Sequence, residues 1–272
     1  MAQNLHMHSL YDDGRDSCRE MLLAAQRELD SAGVSLHSAL PFSNDWAARP
    51  GTEAAFRQEL AALQTELAPF PVFTGLEWDV LSERSFEGYD YVIGSVHFLP
   101  TREVPLSVDN TPEETARLIE EDFAGDADAA AECYFRELVK VAGVPEAGIA
   151  GHFDLITKFQ EKAPLFNPES PRYQKAAEAA LSALLDAGKV IEVNTGAMAR
   201  GWRTAPYPQE RWLKRIQKAG GQVLLSSDAH RSSHTSYAFR EARALLLACG
   251  FTQVQELKRD KEGACRFESV PL

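Results

Sequence analysis

The sequence predicts an α/β fold in which a mostly parallel sheet, covered by helices, closes or nearly closes into a barrel. Short apolar segments of β-type composition alternate along the chain with longer amphipathic segments of helical period. About seven such units follow one another without a break in composition, which predicts a single domain over residues 1–272. An open, doubly wound sheet is the alternative that the same alternation allows.

Seven segments have the length and composition of buried strands. They are Asn4–His8, Val34–His37, Val72–Glu77, Tyr91–Phe98, Gly148–Phe153, Lys189–Asn194 and Gln222–Ser227. Six segments have an apolar helical period. They are Ser17–Ala32, Glu53–Leu67, Pro112–Val141, Pro171–Ala187, Gln209–Ala219 and Tyr237–Cys249. A helix between successive strands is the connection that parallel pairing requires.

Two helix starts are marked by residues that cap them. Ser17 and Glu20 have the spacing of a capping box, in which each side chain binds the other residue's backbone N–H. Thr111 and Glu114 have the same spacing. Pro112, which follows Thr111, suits the first helical turn because no backbone N–H is needed there.

Glycines indicate where several helices end. Four of them follow apolar helical runs, at the place where a left-handed residue terminates a helix: Gly33, Gly188, Gly220 and Gly250. The acidic segment Glu120–Asp128 contains Gly125 and loses the apolar stripe. We expect this segment to interrupt the long third helix.

The charge and hydropathy of the chain exclude two kinds of partner. Its net charge is −12, from 40 acidic and 28 basic residues, which disfavours a nucleic-acid partner. No apolar run approaches the roughly 20 residues that cross a bilayer, so no membrane partner is expected. The start of the chain lacks a secretory signal, which predicts a cytoplasmic protein. The oligomeric state stays open.

Histidines and carboxylates recur at the ends of the predicted strands. His6 and His8 are two residues apart, so in a strand both point to one face and can converge on one ion. Pairs with the same spacing follow three other strands: Glu77 and Asp79, His152 and Asp154, Asp228 and His230. His37 and His97 occupy equivalent single positions. The carboxyl ends of barrel strands share one mouth, where we therefore expect a metal cluster.

The ligand types indicate which metals are expected. Imidazole and carboxylate ligands suit zinc, manganese or iron. The four cysteines are scattered and form no Cys-x-x-Cys pair, so a thiolate site is not expected. Nine or so candidate ligands exceed the needs of one ion and imply two or three. In such sites a bridging hydroxide attacks in an in-line displacement.

Several of these segments resemble the polymerase-and-histidinol-phosphatase (PHP) family, and within it the monofunctional histidinol-phosphate phosphatases. The similar segments run from His6 to about Phe251. They are His6-Met7-His8-Ser9, Asp90–Phe98, His152–Ile156, Glu192-Val193-Asn194-Thr195-Gly196 and Ser227-Asp228-Ala229-His230. The resemblance implies a distorted (β/α)7 barrel with up to three metals, and a phosphatase that acts on histidinol phosphate in histidine biosynthesis.

The resemblance also implies a role for each metal-ligating side chain. The first metal takes His6, His8 and Asp228, and Glu77 bridges to the second. The second metal takes His97 and His152. The third takes Asp13, His37 and His230, although Asp12 is chemically as good a ligand as Asp13. Three positions depart from the family pattern. Asn4 stands where the family has Asp and is expected to orient His6 by hydrogen bonding, without a charge. Leu36 stands where the family often has Asp or Asn, and the spacing of the arginine that Arg200 matches varies.

The catalytic residues that follow are Asp228, His230 and Arg200, with a hydroxide attacking the phosphorus of a small phosphomonoester. Arg200 and Arg231 are the favoured phosphate ligands because guanidinium binds phosphate bidentately; Arg203 is a weaker candidate. Tyr207 is the third candidate for binding the substrate, as a residue that lines the pocket, and packing is its alternative role. The proton for the leaving group comes from metal-bound water or from His230.

Expectations for two ring-bearing residues, His234 and Trp46, and three alternative functions remain. His234 is expected to be an exposed loop residue, and Trp46 lies in a loop that would cover the pocket. The alternative enzymes are a PHP phosphoesterase for another small phosphate and a phosphotyrosine phosphatase. A metal-binding domain without activity is the alternative outside enzymes.

Overall fold

A computed structural model describes residues 2–49 and 51–272, and its centre is a seven-stranded parallel sheet. The strands are β1 (Gln3–Asn4), β2 (Ser31–His37), β3 (Val72–Asp79), β4 (Tyr91–Ser95), β5 (Ile149–Ala150), β6 (Val190–Asn194) and β7 (Val223–Ser226). They pair in the order of the sequence, and all pairs are parallel. This order confirms the predicted barrel, because a doubly wound sheet would reverse direction within the order.

The barrel closes just beyond the last residues of its first and last strands. Met7 and Ala229 form an isolated parallel bridge. The backbone N–H of His8 donates to the Ala229 carbonyl at 2.8 Å, and the Ala229 N–H donates to the His6 carbonyl at 3.2 Å. The residues that close the barrel therefore belong to two of the predicted metal motifs.

Eight α-helices surround the sheet in the described residues. They are α1 (Cys18–Ala25), α2 (Glu53–Glu66), α3 (Pro112–Phe123), α4 (Ala127–Ala142), α5 (Pro171–Asp186), α6 (Gly196–Ala199), α7 (Glu210–Lys218) and α8 (Phe239–Ala248). Ser17 and Glu20 form the predicted capping box. The long third helix is interrupted as predicted, because Ala124 and Gly125 adopt φ values of 51° and 81°. None of the described helices has the length and apolar character to cross a membrane.

The prediction for Gly33 is wrong. Helix α1 ends at Ala25, and Gly33 lies inside β2. The ring of Tyr91 fills the barrel interior there, so a Cβ on Gly33 would lie 2.4 Å from its hydroxyl oxygen. A Cβ on Gly75 would lie 2.1 Å from the same ring. Both glycines therefore provide space for an aromatic side chain, whereas Gly188, Gly220 and Gly250 have the positive φ predicted for a helix end.

A C-terminal hairpin that the sequence did not predict covers the amino-terminal end of the barrel. It consists of β8 (Gln253–Arg259) and β9 (Cys265–Pro271), which pair antiparallel. The side chain of Gln3 binds the backbone of Leu257 at both its N–H (2.7 Å) and its carbonyl (2.9 Å). Leu257 completes an apolar cluster with the inward-facing residues Leu5, Phe73, Tyr91, Ile93, Ile149, Val190 and Leu224.

Candidate metal centre

Glu77 is the centre of a buried cluster at the carboxyl ends of the strands. Its Oε2 lies 3.0 Å from His6 Nε2, 3.3 Å from His8 Nε2 and 3.0 Å from His37 Nδ1. Its Oε1 lies 2.9 Å from His152 Nε2 and 3.3 Å from His97 Nε2. One carboxylate from β3 thus contacts five histidines, and all six side chains are buried.

Two aspartates extend the cluster towards solvent. Asp228 Oδ1 lies 3.6 Å from His8 Nε2 and 3.5 Å from His230 Nδ1. Asp13 Oδ2 lies 3.0 Å from His230 Nε2, and its Oδ1 lies 3.6 Å from His37 Nε2. The structure therefore brings together all nine side chains that the sequence singled out as metal ligands.

The donor set fits divalent ions. Three groups of ligand atoms each lie within 4.8 Å of one another: His6, His8 and Asp228; His37, Glu77 and His97; His8, Asp13, His37 and His230. Although some of them lie close to one another, five buried polar atoms of the cluster make no hydrogen bond of suitable geometry among the described residues: His6 Nε2, His8 Nε2, Asp13 Oδ1, Glu77 Oε2 and His152 Nδ1. Unpaired buried polar atoms are costly, and imidazole and carboxylate atoms of this kind are satisfied by divalent metal ions.

The electrostatics of the cluster keep its carboxylates ionised. Burial alone would raise the pKa of Glu77, but His6, His37 and His97 outweigh burial and hold that pKa well below its usual range. Burial would also raise the pKa of Asp228, and Arg200 and His6 reverse the direction. Ionised carboxylates are the form that coordinates metal ions.

The pKa values of the buried histidines shift in different directions. Burial and the neighbouring His8 lower the pKa of His37 to about 4. Burial would lower the pKa of His6 too, but the carboxylates of Glu77, Glu192 and Asp228 outweigh it and raise that pKa. In a cluster this dense, protons occupy some rings at the expense of others, and a metal ion competes with those protons for the same nitrogen atoms.

Three carboxylates fix the orientation of histidine rings by contacting Nδ1, the ring nitrogen that faces away from Glu77. Glu192 Oε1 lies 2.5 Å from His6 Nδ1, and Asp12 Oδ2 lies 2.8 Å from His8 Nδ1. Asp79 Oδ2 lies 3.2 Å from His97 Nδ1. Each ring thereby turns its Nε2 towards Glu77, which is the arrangement that carboxylates behind metal-ligating histidines produce.

These contacts distinguish Asp12 from Asp13, which the sequence left as equally good candidate metal ligands. Asp12 is occupied by His8 and by the backbone N–H of His37 (3.0 Å), so Asp13 is the aspartate that faces the cluster. Glu192, which the sequence analysis did not single out, also accepts from the N–H of His152 at 2.7 Å. Glu192 and Asn194 are two residues apart in β6 and so lie on the same face of the strand, a signal that could have identified Glu192 as a site residue.

Other predicted neighbours take supporting positions. Asn4 was expected to orient His6, and its Oδ1 accepts from the His6 backbone N–H at 3.0 Å, while Glu192 holds the ring. Asp154 does not face the cluster. Its Oδ2 accepts from the backbone N–H of Gln209 at 3.1 Å in the core.

A cavity of about 700 Å³ opens above the cluster. Arg200 lines it, with Nη2 2.8 Å from Asp228 Oδ2 and Nη1 3.1 Å from His230 Nδ1. Arg231 also lines it, and so do four residues that sequence reasoning missed: Arg15, Asp45, Asp109 and Lys158. Basic, acidic and metal-ligating groups therefore face one space.

Three predictions about pocket residues need correction. Tyr207 is fully buried outside the cavity lining, with its ring 4.5 Å from the Arg203 guanidinium, so it packs. Arg203 is also buried and donates to Thr157. His234 was expected to be exposed; it is half-buried and lines the cavity beside Arg231, because its short helical turn folds back over the mouth.

The fold and this cluster define an α/β barrel with a histidine- and carboxylate-rich centre suited to divalent metals. The chain matches the family model described as PHP domain over residues 4–196. It therefore belongs to the PHP domain family, as the sequence resemblance predicted.

Two curated relatives carry the name "Probable histidinol-phosphatase". The one from Deinococcus radiodurans is 29% identical over 239 residues, covering 80% of this chain and 83% of the relative. The one from Schizosaccharomyces pombe is 27% identical over 175 residues, covering 64% of this chain. The match spans just over half of that longer relative, 55% of its length.

Two solved structures share the fold. A Listeria monocytogenes protein, provisionally assigned as the histidinol phosphatase hisK, superposes with a TM-score of 0.78 at 16% identity, covering 88% of this chain and 99% of that one. The histidinol phosphate phosphatase of Lactococcus lactis, solved with zinc, L-histidinol and phosphate, gives 0.67 at 19% identity, covering 93% and 95%. At these identities the comparison establishes the barrel architecture.

Proposed function

We propose that this protein is a metal-dependent phosphomonoesterase that hydrolyses histidinol phosphate to histidinol and phosphate. The observation that carries the proposal is the Glu77-centred cluster, whose unpaired donor atoms lie beneath a cavity with arginines at its edge. The names of the two curated relatives and the ligands of the Lactococcus lactis structure support this substrate. A cytoplasmic location stays a prediction.

The proposed metal site uses the nine side chains assembled around Glu77. They are His6, His8, Asp13, His37, Glu77, His97, His152, Asp228 and His230. Two or three divalent ions, of zinc, manganese or iron, would stabilise charge on the phosphoryl oxygens and lower the pKa of a water molecule. Glu192, Asp12 and Asp79 would hold three of the rings in position for them.

The remaining groups bind the phosphate and handle the proton. Arg200 and Arg231 both line the cavity and would neutralise the phosphate oxygens. Arg200 also binds Asp228, so the carboxylate aligns the guanidinium while keeping its own charge. The proton for the leaving oxygen would come from a water molecule or from His230, whose Nδ1 lies 2.9 Å from the Asp228 carbonyl and 3.1 Å from Arg200 Nη1.

Steady-state kinetics of the purified, metal-analysed protein would test the proposal. Histidinol phosphate should have the highest kcat/KM among four substrates, the others being an aryl phosphate, a phosphotyrosine peptide and a sugar phosphate. Equal or greater efficiency with another member of this panel would reject histidinol phosphate and assign the barrel to that phosphoester class. No turnover of any of them, after addition of zinc, manganese or iron, would favour a metal-binding domain without activity.

A further inference from the structure

The cavity above the cluster has a basic side, centred on His230. The backbone N–H of Arg15 donates to the His230 carbonyl at 2.9 Å, and Arg200 Nη1 lies 3.1 Å from His230 Nδ1. Arg231 is the next residue along the chain and also lines the cavity. Three arginines at or next to contacts with His230 thus line the cavity, where an anionic group of a ligand would be favoured.

Another part of the cavity is lined by an aromatic side chain, that of Trp46. The ring centroid of Trp46 lies 4.5 Å from that of His37 and 5.1 Å from that of His97. The indole is parallel to the ring of Phe98, at 5.5 Å and an interplanar angle of 2°. Trp46 is therefore a wall between the metal centre and the solvent, supported from behind by a second aromatic ring.

The loop that carries Trp46 is held in a defined conformation. Asn44 Oδ1 accepts from the backbone N–H groups of Trp46 (3.2 Å) and Ala47 (2.7 Å). The N–H of Ala48 donates to the His37 carbonyl at 3.3 Å, which ties the loop to the end of β2. The position of the indole is thus set by the same backbone that sets His37.

Acidic groups accompany the indole. Asp45 lines the cavity, and its carboxylate makes no hydrogen bond or ion pair with the described residues. Asp109 also lines the cavity, and its Oδ2 binds Lys158 Nζ at 2.9 Å. Because Lys158 offsets one of the two carboxylates, this side keeps one negative charge. Its charge is thus opposite to that of the arginine side.

We propose that Trp46 and Asp45 form the subsite for the leaving group, and that they select phosphomonoesters whose alcohol carries a cationic, planar ring or an ammonium group. In this proposal the arginines and the metal centre hold the phosphate, and the alcohol of the ester contacts Trp46, which lines the same cavity. An indole face attracts cations and stacks on planar rings, and Asp45 adds an opposite charge. Histidinol carries both an imidazole and an ammonium group. The inference rests on the proposed function and deepens it.

Product inhibition measures the two sides of the cavity separately. With 4-nitrophenyl phosphate as substrate, the inhibition constant of histidinol reports the alcohol side, and that of inorganic phosphate reports the metal and arginine side. We expect Trp46→Leu to weaken histidinol inhibition about tenfold, as loss of one desolvated cation–aromatic contact would. Asp45→Asn should weaken it about threefold, since Asp45 is exposed. Inhibition by phosphate should change less than twofold.

Matched variants separate recognition from structural damage. Trp46→Phe and Asp45→Glu should retain most of the histidinol affinity, and Ser43→Ala, an exposed substitution in the same loop, should change neither constant. Metal content should be the same in all variants. Equal weakening of both inhibitors, or loss of metal, would mean that Trp46 only supports His37 and His97, and would overturn the subsite.

The failure of this inference is distinguishable from failure of the proposed function. If the unmodified protein neither hydrolyses histidinol phosphate nor binds histidinol, the proposed function is wrong. If it does both and the Trp46 and Asp45 variants bind histidinol as tightly as before, the function stands and the subsite is rejected.

Discussion

The two ends of the barrel are built from the same seven strands and differ in almost every physical respect. At the amino-terminal end, Leu5, Phe73 and Leu257 belong to an apolar cluster sealed by the C-terminal hairpin. At the carboxyl end, Glu77 and its histidines are equally buried, yet five polar atoms there have no hydrogen-bond partner in the described part of the chain. The amino-terminal end is stabilised by contacts within the chain, whereas the carboxyl end has polar atoms that a ligand would have to bind.

The difference shows how stability and function are divided within one sheet. Each unpaired buried polar atom costs roughly 1–3 kcal/mol, a cost that metal binding would offset. Apolar burial at the opposite end contributes about 25 cal/mol per Å² to the stability of the fold and requires no ligand. Substitutions at the two ends should therefore affect different measurements.

The largest expected effect is on activity, from Glu77→Gln at the mouth. Loss of the carboxylate that contacts five histidines should remove bound metal and lower kcat by about 10³-fold or more, since ions supply several kcal/mol of transition-state stabilisation. Metal analysis and kinetics would measure this, with the exposed Glu83→Gln as the control. Full metal content in the Glu77 variant would remove this residue from the site.

The reverse pattern is expected for Leu257→Ala at the sealed end. Leu257 is 2% exposed, and truncating it should lower the free energy of unfolding by about 2–5 kcal/mol. The folded variant should keep its metal and its kcat, because the substitution leaves the mouth intact. Leu247→Ala, at a residue 56% exposed, should change stability by less than about 0.5 kcal/mol in the same denaturant titration. Loss of metal from folded Leu257→Ala would contradict the division between the ends.

A smaller effect is expected from Glu192→Gln, which lies between the two ends. Glu192 acts on the site through the ring of His6, so its loss should weaken metal affinity by about 10- to 100-fold. A chelator competition assay measures the affinity directly. At saturating metal, inhibition by inorganic phosphate should stay unchanged. A weakened phosphate affinity would show that Glu192 shapes the cavity as well as the ring.

The features that were predicted from sequence are those fixed by short-range rules. The capping box of Ser17 and Glu20 and the break at Gly125 depend on residues within a few positions of one another. The C-terminal hairpin was missed because β8 has only two apolar residues, Val254 and Leu257, which are three positions apart and so lack the alternation of a strand. Its contact with the barrel joins Gln3 to Leu257, 254 positions away. No local pattern reports such a contact.

The two-residue spacing identified the cluster but did not distinguish ligands from supports. His152 and Asp154 lie beyond β5, which ends at Ala150, so the alternation of a strand does not apply to them and Asp154 turns into the core. Asp79 shares the face of Glu77 and binds a histidine ring from behind. Which side of an imidazole a carboxylate approaches is set by tertiary packing, and the sequence does not encode it locally.

The bridge between Met7 and Ala229 has a consequence for how the protein is made. His6 and His8 are synthesised more than two hundred residues before Asp228 and His230. The first metal-ligand group combines the two ends of that interval, so a nascent or truncated chain without residues 228–230 cannot assemble it. Metal binding at this group would therefore depend on pairing between the last and first strands, which closes the barrel.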